Sequence, residues 1–136
     1  MQRKTIYLAR LLGLFMIILC GWMLLDRKDG AGLVQLLLDR PEIKFTYALI
    51  ALAMGLAMVL GHNVWRGGAL PVVVSVVGWL VLVKGVALLV VPAALLGRGL
   101  DEIRFSQTYA SVLAAPFILG LYLTFAGFAA ARRAAA

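Results

Sequence analysis

Four apolar runs, each of about 20 residues or more, take up most of this chain and fix what it can become. They lie at residues 6–25, 45–65, 70–91 and 108–131. A helix needs about 20 mostly apolar residues to cross the ~30 Å hydrocarbon layer of a bilayer. In that medium every backbone N–H and C=O must be paired within its own segment. Even the valine-rich run 70–91 is therefore expected to be helical, because its length overrides its strand propensity. The expected fold class is all-α: a polytopic membrane protein with four transmembrane helices, forming a single transmembrane domain over residues 1–136.

Composition excludes the soluble alternative. Of the 136 residues 64% are hydrophobic and 14% charged, and the mean hydropathy is +1.02. Soluble domains carry about 45–50% apolar and about 25% charged residues, and a globule this small leaves much of its surface exposed. The net charge of +7 sits at the ends of the apolar runs, without the interleaved aromatics of a nucleic-acid patch. It fits membrane orientation and anionic headgroups instead. The expected partner is thus the lipid bilayer, and no nucleic acid. A lone cysteine, Cys20, cannot form a disulfide within the chain. Arg3 and Lys4 precede the first run as in a signal peptide, but no small-x-small cleavage site follows. The run reads as an uncleaved signal anchor.

Orientation is not settled by counting bases. Arg3, Lys4, Arg10, Arg66, Arg132 and Arg133 lie on one side of the expected spans, and Arg27, Lys28, Arg40, Lys44, Arg98 and Arg104 on the other. The compact basic cluster beside the first span breaks the tie. It places both termini in the cytoplasm of a bacterial cell, with the chain in the inner (cytoplasmic) membrane. The segment at about 31–40 is too short to span and is expected to lie in the outer interface as a helix.

Two stretches echo each other. Glu42-Ile43-Lys44-Phe45, then Thr46-Tyr47-Ala48, parallels Glu102-Ile103-Arg104-Phe105, then Thr108-Tyr109-Ala110. Cys20-Gly21 and Lys84-Gly85 pair more weakly. The chain therefore reads as two helical-hairpin repeats, residues 1–66 and 67–136, running parallel about an axis along the membrane normal.

Lys84 is the most informative single position. It lies about eight residues inside the third run, hence about 12 Å deep at ~1.5 Å per residue. An intramembrane charge costs about 2.5–3.5 kcal/mol on insertion scales and needs a partner or water. It is either a substrate or proton site or a lysine reaching outward to pin the bundle, with Asp26, Asp101, Glu102 and Glu42 as candidate partners. His62, seven residues beyond Gly55, shares the face of that small residue and should point into the bundle, beside Asn63 and Trp65. Its readings are a hydrogen bond between helices or a step in a proton relay. Trp79, in mid-helix, could pack between helices. Gly55, Gly78, Gly85, Gly120 and Gly127 recur at spacings that suit close helix contact. No triad, H-E-x-x-H or P-loop is present. Hence no catalytic residue, metal ligand or cofactor is expected, and an enzyme is unsupported.

Gly61-His62-Asn63-Val64-Trp65, with Gly78-Trp79 and Lys84-Gly85 and the opening Arg10-Leu11-Leu12-Gly13-Leu14, resembles a pattern in a family of small, uncharacterised four-helix bacterial inner-membrane proteins. The resemblance implies a fold but no activity. Three functions follow from the residues. The first is a non-catalytic subunit, scaffold or assembly module that packs as a homo-oligomer or against a larger membrane protein. The second is a small transporter or channel built on Lys84. The third is a lipid-headgroup binder or enzyme at outer loops that carry Glu42 and Glu102.

Overall fold

A computed structural model describes the backbone of residues 2–102 and 105–135 and the side chains of residues 3–98 and 108–133. Those residues form six α-helices: α1 (Gln2–Leu25), α2 (Arg27–Asp39), α3 (Pro41–Gly61), α4 (Ala69–Val90), α5 (Ala93–Glu102) and α6 (Phe105–Ala135). α1, α3, α4 and α6 contain stretches long and apolar enough to cross a membrane, namely Arg3–Leu25, Pro41–Gly61, Ala69–Val90 and Thr108–Arg133. The protein is a multi-pass membrane protein folded as a helical bundle.

Local chemistry sets the boundaries. Asp26 caps α2, its carboxylate accepting from the Asp29 N–H, so this helix begins earlier than the 31–40 expected for an interfacial segment. Pro41 stands in the first turn of α3, where its missing N–H costs nothing. α3 ends at Gly61, short of the expected 65. The Ser75 hydroxyl accepts from the Val64 N–H (2.9 Å), which satisfies backbone that has left the helix. Gly67 and Gly68 have φ of +98° and +117°, a conformation that favours glycine, and they turn the chain into α4. α5 was not foreseen. It starts where the Pro92 carbonyl accepts from the Leu95 and Leu96 N–H groups. Pro116 sits inside α6 without ending it.

The spans associate as two antiparallel pairs, α1 along α6 and α3 along α4. Glycines bring the backbones together. A Cβ on Gly55 would lie 2.5 Å from Leu82 Cα, and one on Gly85 would lie 2.6 Å from Leu52 N. In the other pair Gly13 lies against Thr124, Gly120 against Met16, and Gly127 against Arg10. Lipid removes any hydrophobic preference for helix contact, so such backbone approach supplies the dispersion that holds the pairs. Arg10 Nε donates to the Gly127 carbonyl (3.3 Å) and its guanidinium stacks 4.2 Å from the Phe128 ring centre. Both termini therefore share one end of the bundle, here called the terminal end.

The two pairs meet at that end. Ala9 and Leu12 of α1, Met58 of α3, Val74 and Val77 of α4 and Leu123 of α6 form one buried cluster. At the opposite, far end the short helices α2 and α5 touch each other. There Gly30 of α2 lies directly under the Tyr109 hydroxyl, which donates to the Met23 carbonyl (3.1 Å).

Candidate functional site

Two groups of polar side chains have chemical interest, one toward the far end of the α3–α4 seam and one about the turn that joins α3 to α4. The first is on the α3–α4 seam toward the far end. Lys84 is six residues from the end of α4 at Val90, about 9 Å at ~1.5 Å per residue. Its side chain is exposed on the outside of the bundle and donates to the Tyr47 hydroxyl oxygen at 2.9 Å. The ammonium also stands 5.1 Å from the centre of the Tyr47 ring, within range of a cation–π attraction. One turn earlier on α3, the Lys44 ammonium donates to the Val91 carbonyl at the end of α4.

Of the acids considered as partners for Lys84, Asp26 is engaged as the cap of α2. Glu42 lies exposed in the first turn of α3. The side chains of Asp101 and Glu102 lie outside the described residues. Among the described residues no carboxylate is hydrogen-bonded to Lys84.

The second group is the α3–α4 turn at the terminal end. His62 is the C-cap of α3, its N–H donating to the Met58 carbonyl, and it is only 5% exposed. Its Nε2 has no hydrogen-bond partner among the described residues. Buried Ser75 staples this turn, its hydroxyl 3.0 Å from both the Val64 and the Pro71 carbonyls, which share its single O–H, while it accepts from the Val64 N–H. Asn63 Oδ1 accepts from Trp65 Nε1 (2.6 Å) and Trp79 Nε1 (3.4 Å). Both indoles are half-exposed, so Trp79 lies on the rim of the turn and not between helices. His62 stands beside Ser75, nine residues before Lys84 on α4 and hence about 14 Å away at ~1.5 Å per residue, and the fold does not bring the two side chains together.

Among the described residues no three His, Cys, Asp or Glu side chains converge to hold a metal ion. Two participants were missed by sequence reasoning as members of a site. Tyr47 and Lys44 had entered only as parts of the echo between residues 42–48 and 102–110, and Lys44 also as one of the bases counted for orientation. The signal that finds them is the glycine turn at 67–68. When α3 is folded back on α4 about that turn, Lys44 comes close to Val91 and Tyr47 stands beside the last turn of α4, where Lys84, about six residues deeper, reaches along the seam to it. Comparison of the chain with known protein families, curated proteins and solved structures returns no match.

Proposed function

We propose that the protein is a non-catalytic module of the bacterial inner membrane, with both termini cytoplasmic, that acts as a small subunit, scaffold or assembly element. It works by packing as a homo-oligomer or against a larger membrane protein, and it belongs with the uncharacterised four-helix proteins whose motif it resembles. One observation carries this reading: three polar side chains that join neighbouring elements are bonded to backbone, while the buried polar atoms His62 Nε2 and Thr124 Oγ1, unpartnered among the described residues, line no shared path. Ser75, Arg10 and Tyr109 bind carbonyls of neighbouring elements, as structural braces do. A transport path between the pairs would draw Lys84 inward, whereas Lys84 is exposed on the outer surface.

The same reading includes duplication. α1–α2–α3 and α4–α5–α6 repeat one order of long, short and long helix. A twofold axis along the membrane normal would carry α1 onto α4 and α3 onto α6, and so exchange the α1–α6 pair with the α4–α3 pair. Gly30-Ala31-Gly32-Leu33 in α2 and Gly97-Arg98-Gly99-Leu100 in α5 add a further echo.

The test is extraction in mild detergent followed by native mass measurement, with flux measured in reconstituted vesicles. The expected result is an assembly of several copies, or of this chain with a larger protein, together with no Lys84-dependent flux. A monomer whose vesicles conduct protons or ions, and lose that conduction on Lys84→Met, would overturn the proposal.

A further inference from the structure

We propose that the far end of the α3–α4 seam binds the phosphate of an anionic phospholipid, held by Lys84, Tyr47 and Lys44. The inference is independent of the scaffold reading.

The argument begins with donors and acceptors. The Lys84 ammonium has three N–H groups, and one of them is given to the Tyr47 oxygen. That bond occupies the tyrosine as an acceptor and leaves its O–H free to donate. The Lys44 ammonium gives one N–H to the Val91 carbonyl and keeps two. Lys44 and Tyr47 are three residues apart on α3, and Lys84 and Val91 are seven apart on α4, so each pair lies along one helix face. The seam therefore presents a ladder of donors and positive charge. Its complement is an anion rich in acceptor oxygens.

Position selects the lipid. Tyr47 and Lys84 are exposed on the outside of the bundle, where the surrounding medium is lipid. They lie about 9 Å from the helix ends at ~1.5 Å per residue, within reach of the headgroup boundary for a lysine that extends outward. Deeper along the same faces, Ile50 and Met54 of α3 and Leu80 of α4 are exposed and continue the seam as an apolar strip for an acyl chain. Among the described residues the α1–α6 pair shows no such ladder: Cys20 stands where Lys84 does in the sequence echo, and Tyr109 is 4% exposed with its hydroxyl against Gly30.

The experiment measures phospholipid retained by the full-length protein after exchange from vesicles of phosphatidylglycerol and phosphatidylcholine into mild detergent. Wild-type protein is expected to retain phosphatidylglycerol over phosphatidylcholine, and its melting temperature to rise only with the anionic lipid. Lys84→Met and Lys44→Met should each lower retention about fivefold, the effect of one basic residue at an anionic surface. Lys84→Arg should keep retention, and Arg3→Gln, at the other end of the bundle, should leave it unchanged. Equal retention of both lipids by wild type would overturn the site. So would an equal loss with Arg3→Gln, which indicates diffuse charge. A carbodiimide cross-link from Lys84 to a carboxylate of a second chain would also overturn it, assigning the ammonium to a protein partner. The wild-type lipid comparison needs no variant, so a variant that fails to fold leaves the test intact.

Discussion

Tyr47 and Tyr109 stand in the same tripeptide, Thr-Tyr-Ala, one near the start of α3 and the other near the start of α6, yet their surroundings are opposite. Tyr109 is 4% exposed and Tyr47 is 39% exposed. The difference comes from the short helices. α2 lays Gly30 against the Tyr109 hydroxyl, whereas a Cβ added to Gly97 of α5 would meet nothing within 4 Å. One pair is closed at the far end by a helix that has a glycine in the right place. Among the described residues the other has no such cover and carries a lysine. Like local sequence thus yields a structural tyrosine in one half and an accessible one in the other, and the second is where ligand chemistry is available.

The largest effect expected from breaking this comparison comes from the feature both pairs share. Gly55→Leu and Gly120→Leu each drive a side chain into a neighbouring helix, at Leu82 and at Met16 and Gly13 respectively. Each should destabilise the protein by about 3 kcal/mol, the upper range for overpacking, in detergent unfolding titrations. A clearly smaller loss for one would show that the pairs are not equally tight. The next effect separates the halves. Gly30→Ala places a methyl group against the Tyr109 hydroxyl and should cost about 1–2 kcal/mol. Gly97→Ala meets open space and should stabilise by about 0.5–1 kcal/mol through helix propensity. Equal effects at the two glycines would mean that α5 closes over Tyr47 in the membrane.

The spans and the close-contact glycines were legible because both depend on short-range chemistry: apolar length for the first, absence of a side chain for the second. Gly55, Gly78, Gly85, Gly120 and Gly127 all lie against a neighbouring helix. Gly13 and Gly30 do so too and were not singled out, since neither has a second glycine or alanine seven residues along its helix to mark a contact stripe. Pairing of α1 with α6 was likewise hidden, because it is decided by which faces match across the whole bundle. α5 was missed because Ala93–Glu102 is too short and polar to register as a span, although Pro92 marks its start. In the candidate site, Lys84 stood out by its charge. Tyr47 and Lys44 became visible only once α3 was laid against α4.

The smallest effect is the most direct reading of the two tyrosines. Tyr109→Phe removes a donor to the Met23 carbonyl, and a buried carbonyl that loses its partner costs about 1–3 kcal/mol. Because that carbonyl lies in the last turn of α1, close to interfacial water, the low end of that range, about 1 kcal/mol, is the expected loss of unfolding free energy. Tyr47→Phe removes an acceptor from an exposed ammonium that water or a headgroup can replace, so stability should change by less than about 0.5 kcal/mol. Its consequence should appear instead as weaker retention of anionic phospholipid. If Tyr47→Phe destabilised the fold as much as Tyr109→Phe, both tyrosines would be braces, and the asymmetry between the pairs would carry no functional meaning.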